Sequence, residues 1–142
     1  MNARYVAGGS TRVYFLGGHV RSLRQVPWAS RPRLTRRDRA LNFVGHGAFR
    51  LPNGRHDLFA VRSSGYIHAP RTGTYTFKTR SDDGSKVYIN GRLVVNNGGL
   101  HAPRDRSGSV HLRAGYHRVR VDMFEKHGHA VLQFWQRSPG GE

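Results

Sequence analysis

A strand–turn–strand pattern over residues 74–95 constrains the fold of this 142-residue chain more than any other feature. Side chains alternate in TYTFKTRS, so Tyr75 and Phe77 share one face while the polar residues share the other. The dipeptide Asn90-Gly91 then separates KVYI from RLVV, and it favours the two positive-φ positions of a type I′ hairpin. This combination predicts a set of antiparallel strands.

Short β-rich segments between turn residues extend the pattern along the chain. The 18 Gly and 6 Pro are spread throughout, without a long run of helix formers. Further strands are predicted at 12–16, 41–44, 58–61, 109–112, 116–124 and 130–136, with a turn-rich loop at 96–106. The length suits one hydrophobic core. We therefore predict an all-β fold, an antiparallel β-sandwich or barrel, formed by a single domain over residues 1–142.

The turn SDDGS places two adjacent carboxylates, Asp82 and Asp83, in an otherwise basic chain. Neighbouring side chains of an extended strand point to opposite faces, so their convergence requires an irregular backbone, such as a cis peptide. A hard cation bound between the two carboxylates would stabilise that arrangement. The alternative is that both aspartates cap the turn by accepting backbone N–H bonds.

The charge of the chain points to anionic partners. Lys and Arg number 24 against 8 Asp and Glu, which gives a net charge of +16. Such a surface attracts nucleic acid, acidic polysaccharide or acidic protein assemblies, in a salt-dependent way. The alternative is a compositional bias towards arginine that only solubilises the surface.

Residues 21–39 are predicted to form a long irregular loop that holds seven arginines. We expect Trp28 to pack against the core and anchor this loop, with stacking on a base or sugar as the alternative. Loops of this length are functional or disordered. The candidate polyanion-binding residues are Arg31, Arg33, Arg36, Arg37 and Arg39.

Several functional classes find no support in the sequence. The absence of Cys excludes disulfides and thiolate metal sites. His127 and His129 are two residues apart, but no recognisable zinc spacing surrounds them. No nucleophile motif or phosphate-binding loop is present, so we do not expect an enzyme. No apolar run reaches the length of a membrane span, and we expect no membrane insertion.

The segment 59–128 closely resembles the protective-antigen (PA14) domain, a β-barrel module of bacterial toxins, glycosidase insertions and yeast flocculin adhesins. The matching pieces are VRSSGYIHAP, GTYTFKTRSDDGSKVYINGRLVV, GGLH, SGSVHLRAGYHRVRV and FEKHG, in the order of the family. A weaker match at VYFL extends the resemblance towards the N-terminus. The resemblance implies a PA14-type sandwich or barrel, without catalytic activity of its own.

The sugar-binding branch of that family suggests which residues bind a ligand. By resemblance, Asp82 and Asp83 hold calcium, and Glu125 contributes from the loop after strand 116–124. The resemblance also implies ligand contacts from Asn97, His101, Lys126 and His127. The chain departs from many relatives at residues 96–99, where NNGG replaces an acidic DNDG. The basic residues Arg80, Lys86, Arg104 and Arg106 are close in sequence to the acidic turn, which disfavours a cation.

Two functions therefore remain open. The first is calcium-dependent recognition of a glycan at the acidic turn, which the resemblance favours. The second is a structural or adaptor role, in which arginine-rich surfaces dock on an acidic assembly such as a nucleoprotein or filament. The family resemblance implies an extracellular location, whereas the N-terminal MNARYVAGGS lacks the apolar core of a signal peptide.

Overall fold

The computed structural model describes residues 2–141, with only the backbone of His46. In that range the chain forms one helical turn, His46–Phe49, and two 3₁₀ turns, Leu23–Gln25 and Pro52–Gly54. The strands are β1 (Ala7–Phe15), β2 (Leu34–Arg37), β3 (Asn42–Val44), β4 (Phe59–Ala69), β5 (Gly73–Asp82), β6 (Ser85–Ile89), β7 (Arg92–Asn97), β8 (Arg104–Leu112), β9 (Gly115–Glu125) and β10 (Val131–Arg137).

The strands form two antiparallel sheets packed face to face. One sheet has six strands in the order β2-β1-β4-β9-β6-β7, and the other has four in the order β3-β10-β5-β8. Every strand pair within them is antiparallel. The predicted all-β antiparallel sandwich is therefore confirmed.

The core lies between the two sheets and follows the predicted alternation. Tyr75 and Phe77 of β5 are fully buried, and the Phe77 ring stacks on Phe134 of β10 with centroids 5.9 Å apart. From the opposite sheet, Val121 and Met123 of β9 are also fully buried. Burial of each such side chain contributes about 1.5–3 kcal/mol. The two sheets are therefore held together by the residues that the period-two pattern selects.

The predicted hairpin forms at Asn90-Gly91, where both residues have positive φ, 51° and 83°. Several strands are longer than the sequence predicted. The strand predicted at 58–61 is part of a longer strand, β4, which continues to Ala69. Gly65, in its middle, lets a neighbour pack closely on the backbone. A Cβ on Gly65 would lie 2.6 Å from the Tyr5 ring. Likewise, β8 already begins at Arg104, so the loop predicted at 96–106 is shorter than expected.

The arginine-rich segment 21–39 is more regular than the predicted irregular loop. Its last part is β2, an edge strand that pairs with β1. This strand was not predicted because its inner positions are Leu34 and Arg36 rather than two apolar residues. Trp28 packs edge-to-face on Tyr14 with centroids 5.2 Å apart, and its Nε1 donates to the Leu23 carbonyl at 3.0 Å. These contacts support the predicted anchoring role of Trp28.

Candidate functional site

The acidic turn lies where β5 ends and β6 begins, against the end of β9. The peptide bond between Asp82 and Asp83 is cis, in line with the irregular backbone expected there. The Asp83 N–H donates to the Phe124 carbonyl at 3.1 Å, and the Phe124 N–H donates to the Gly84 carbonyl at 3.0 Å. These two bonds fix the turn beside the last residues of β9.

Glycine is required at position 84 because another loop crosses this turn. A Cβ there would lie 2.8 Å from both the backbone nitrogen and the oxygen of Gly99. The loop after β7 therefore packs directly on the acidic turn. Three chain segments meet at this end of the sandwich: the β5–β6 turn, the β7–β8 loop and the β9–β10 loop.

The three predicted metal-binding carboxylates meet where these segments converge. Asp82 and Asp83 are 5% and 6% exposed, and Glu125 is fully buried. One carboxylate oxygen from each residue lies within 4.8 Å of the other two. We call these three residues the carboxylate cluster. The cluster brings Glu125 to two aspartates that are more than 40 positions away in the sequence.

Backbone N–H groups from the two loops hold Asp83 in place. Its Oδ1 accepts from His101 N at 3.2 Å, and its Oδ2 accepts from Lys126 N at 2.8 Å. Asp83 therefore accepts backbone bonds, as the capping alternative expected, but from the β7–β8 and β9–β10 loops rather than from its own turn. The carboxylate ties three segments together and keeps both oxygens at the cluster.

Burial and mutual repulsion make the cluster retain protons. The pKa of Glu125 is raised to about 10, mainly by burial and then by the negative charges of Asp83 and Asp82. Burial also raises the pKa of Asp82 to about 6, with the negative charge of Asp83 as the next cause. At neutral pH the cluster therefore carries a proton that a metal ion could replace.

The donor set suits a hard divalent cation. All three side chains offer oxygen, which is the ligand type that Ca²⁺ and Mg²⁺ prefer. Among the residues described, this is the group of three or more His, Cys, Asp or Glu whose ligand atoms are close enough to hold a metal ion. It contains no histidine.

The predicted ligand-contact residues surround the cluster in different ways. His101 is half-buried, and its ring nitrogens face the carbonyls of Ala102 at 2.8 Å and Asn97 at 2.9 Å. Lys126 is half-buried and contributes its backbone N–H to the cluster. His127 is exposed and lies 3.8 Å from a carboxylate oxygen of Asp57.

Asn97 does not support the role predicted for it. Its side chain is fully buried, where Nδ2 donates to the Arg104 carbonyl at 2.8 Å and Oδ1 accepts from Arg104 Nε at 2.9 Å. The amide therefore braces the β7–β8 loop from inside and is not accessible to a ligand. The same bonds direct the Arg104 guanidinium towards the loop, and Arg80 instead pairs with Asp105 at 3.1 Å.

The candidate polyanion-binding arginines do not act as one group. Arg31, Arg33, Arg37 and Arg39 are exposed. Arg36 points inwards from β2, where it pairs with Asp38 at 3.1 Å, donates to the Phe49 carbonyl and lies 5.3 Å from the Phe43 ring centroid. Arg36 differs from the other four because the alternation of β2 places it on the core side of the sheet.

Asp122 of β9 is a further buried carboxylate that the sequence did not single out. Asp122 is 3% exposed, because Arg62 covers it with a two-pronged contact. Arg62 Nε donates to Oδ1 at 2.8 Å and its second nitrogen donates to Oδ2 at 3.0 Å. Asp57 was not expected near the cluster, yet its charge is among those that raise the Glu125 pKa. No local signal marks either contact, since the partners are distant in sequence.

Comparison with known proteins finds relatives that are similar to this chain in sequence and in fold. Over 84 residues the chain is 34% identical to the anti-sigma-I factor RsgI3 of Acetivibrio thermocellus, an alignment that covers 58% of this chain and 13% of that protein. A solved anti-sigma factor domain-containing protein superposes with a TM-score of 0.78 at 21% identity, over 96% of this chain and 44% of that one. The chain thus spans less than half of either relative.

A solved PA14 sugar-binding domain from an RTX adhesin superposes with a TM-score of 0.80 at 24% identity, over 96% of this chain and 93% of that one. At that identity the likeness shows the fold. None of the helices described in residues 2–141 has the length and apolarity needed to cross a bilayer. The PA14 domain family matches residues 8–141, nearly the whole chain. The chain therefore belongs to the PA14 domain family.

Proposed function

We propose that this domain is a non-catalytic binding module that recognises a glycan through calcium held by Asp82, Asp83 and Glu125. The observation that carries the proposal is the convergence of three buried carboxylates, with oxygens within 4.8 Å of one another, in a chain of net charge +16. Carboxylates so close together repel each other unless protons or a cation intervene. A bound cation would relieve that repulsion and would give the cluster a function.

Turn capping alone accounts for only part of the arrangement. The N–H groups of His101 and Lys126 satisfy Asp83, and they would do so without the other two carboxylates. Capping gives no reason for Asp82 and Glu125 to lie buried beside it, because each raises the free energy of the other ionised groups. Calcium accepts 6–8 oxygen ligands, so all three carboxylates could coordinate one ion.

A bound calcium ion would complete its coordination with pairs of hydroxyl groups from a sugar. The protein residues around the cluster suit such a ligand. Leu100 is 44% exposed beside the half-buried His101, and it offers an apolar contact to a sugar ring. His127 and Lys126 offer polar contacts from the opposite loop. The likeness to a domain described as sugar-binding adds support from outside the chain.

The test is glycan binding with and without a chelator. A glycan array probed in calcium is expected to give specific signals that the chelator removes. Asp83→Asn is expected to remove the same signals. Asp105→Asn is the matched control, because it makes the same change at a carboxylate that is 44% exposed on β8. Signals that persist in the chelator and in Asp83→Asn would contradict the proposal.

A further inference from the structure

The outer face of the six-stranded sheet is a second feature, distinct from the carboxylate cluster. Strand alternation in β1, β2, β4, β6 and β9 places six cationic residues on this face, which we call the basic face. These are Arg12, Arg37, Arg62, Lys86, Arg118 and Arg120. Among the described residues of those strands, Asp122 is the one acidic residue on the same face. The face therefore carries a local excess of positive charge.

The existing contacts leave half of these cations available. Arg62 and Arg120 both pair with Asp122, and Arg120 lies 3.4 Å from its Oδ2. Arg12, Arg37 and Arg118 are exposed, and none of them forms an ion pair with any residue in the described range 2–141. These three arginines can bind an external anion without breaking an internal salt bridge.

The cations are arranged as a regular array, because sheet register fixes their positions. Adjacent strands are about 4.8 Å apart, and residues on one face repeat about every 6.6 Å along a strand. The first row across the sheet consists of Thr35, Arg12, Arg62, Asp122 and Lys86; the next consists of Arg37, Ser10, Ser64, Arg120 and Tyr88. Arg118 lies in the third row, opposite Tyr66. Such an array suits a polymer that repeats its anionic groups, and not one small anion.

The chemistry of the face favours an acidic polysaccharide over a nucleic acid. Single-stranded nucleic acids bind by stacking bases on aromatic rings. On this face Tyr66 is 44% exposed opposite Arg118 and Tyr116 is 69% exposed beside His68, so both exposed rings lie towards one end of β4 and β9. Nearer the middle, Arg120 covers Tyr88 at 4.2 Å from its centroid. The centre presents guanidinium groups with the hydroxyls of Ser10 and Ser64. Guanidinium forks match sulfate and carboxylate groups, and hydroxyls bond to sugars.

The basic face is continuous with the carboxylate cluster through Lys86, which follows the acidic turn. A Cβ on Gly98 would lie 3.3 Å from Lys86 Cε, so the lysine stem runs over the loop that carries His101. We propose that the basic face binds an acidic polysaccharide whose chain extends from the sugar held at the cluster. The choice of a polysaccharide rests on the proposed function, whereas anion binding by the face does not.

The experiment measures binding of a defined heparin oligosaccharide, in chelator, at several salt concentrations. The combined variant Arg12→Gln, Arg37→Gln and Arg118→Gln is expected to bind more than tenfold more weakly at low salt. The slope of log K against log salt is expected to fall by about 2, at roughly 0.7 per lost contact. The control is Arg106→Gln, Arg113→Gln and Arg137→Gln, which removes three exposed charges elsewhere. This control is expected to stay within about twofold of the wild type at the salt used, and thermal melts check that both variants fold.

Three results would overturn the inference: no heparin binding at low salt, equal weakening by both triple variants, or tighter binding of an oligodeoxythymidine of equal charge. Asp83→Asn separates this inference from the calcium proposal, since it is expected to leave heparin binding in chelator unchanged. If calcium binding fails while the contrast between the triple variants holds, the proposed function is wrong and anion binding by the basic face stands.

Discussion

Two buried acidic regions of this domain have opposite electrostatic surroundings. Asp122 lies on the basic face and receives a two-pronged contact from Arg62 and a second contact from Arg120. The carboxylate cluster instead places Asp82, Asp83 and Glu125 beside one another, with backbone N–H groups at Asp83. In one region the chain supplies the positive charge itself, and in the other it gathers negative charge at one point. That contrast underlies the proposal that the cluster receives its positive charge from outside.

The largest expected effect comes from removing the charge at Asp122. Asp122→Ala is expected to lower the free energy of unfolding by about 3 kcal/mol, because it leaves a partly buried Arg62 without its partner. Urea denaturation followed by Trp fluorescence measures this loss. If Asp122→Ala costs no more than Asp105→Ala, the two acidic regions do not differ as described.

Calcium is expected to have the next largest effect, and at the other region. At 100 times its dissociation constant, calcium should stabilise the wild type by about 2.7 kcal/mol. Asp83→Asn should abolish this gain, whereas Asp105→Asn should keep it. Thermal melts in chelator and in excess calcium measure the difference. An equal gain in both variants would place calcium away from the cluster.

The pH dependence of stability should distinguish the cluster without metal from the cluster with metal. Because the pKa of Asp82 is raised from 3.8 to about 6, the folded protein holds this proton more tightly than the unfolded chain. In chelator its contribution is fully present below about pH 4 and is lost as the pH rises through 6. Asp82→Asn should remove this part of the decline below about pH 6, whereas the part due to Glu125, whose pKa is raised to about 10, should continue to higher pH. Melts between pH 4 and 8 can record the difference. In calcium the opposite trend is expected, since protons compete with the ion.

The smallest effect is expected at Asp105, which lies between Lys78 and Arg80 at the surface. All three side chains are 40–44% exposed. Exposed ion pairs contribute about 0–1 kcal/mol, so Asp105→Asn should change stability by less than about 1 kcal/mol. High salt should reduce even this difference. A larger loss would show that surface charge matters to this fold as much as buried charge.

Local patterns in the sequence were enough for the architecture and for part of the site. Alternation predicted the core positions of β5, and Asn90-Gly91 predicted the hairpin, because both signals depend on neighbouring residues. The pairing of Arg62 with Asp122 was not predictable, since sheet register joins residues 60 positions apart. Similarly, the family resemblance placed Asn97 near the cluster, but it could not show that the side chain points inwards and bonds to Arg104. The inward position of Arg36 was missed because β2 lacks an apolar alternation.

The most direct test of the central claim is calorimetric titration of calcium into the chelator-treated domain at pH 7, repeated in two buffers of different ionisation enthalpy. The raised pKa of Glu125, about 10, means that binding should release close to one proton, so the observed heat should differ between buffers. Asp83→Asn should abolish the binding heat. Absence of binding heat in the wild type, or the same heat in Asp83→Asn, would contradict the claim that the carboxylate cluster holds calcium.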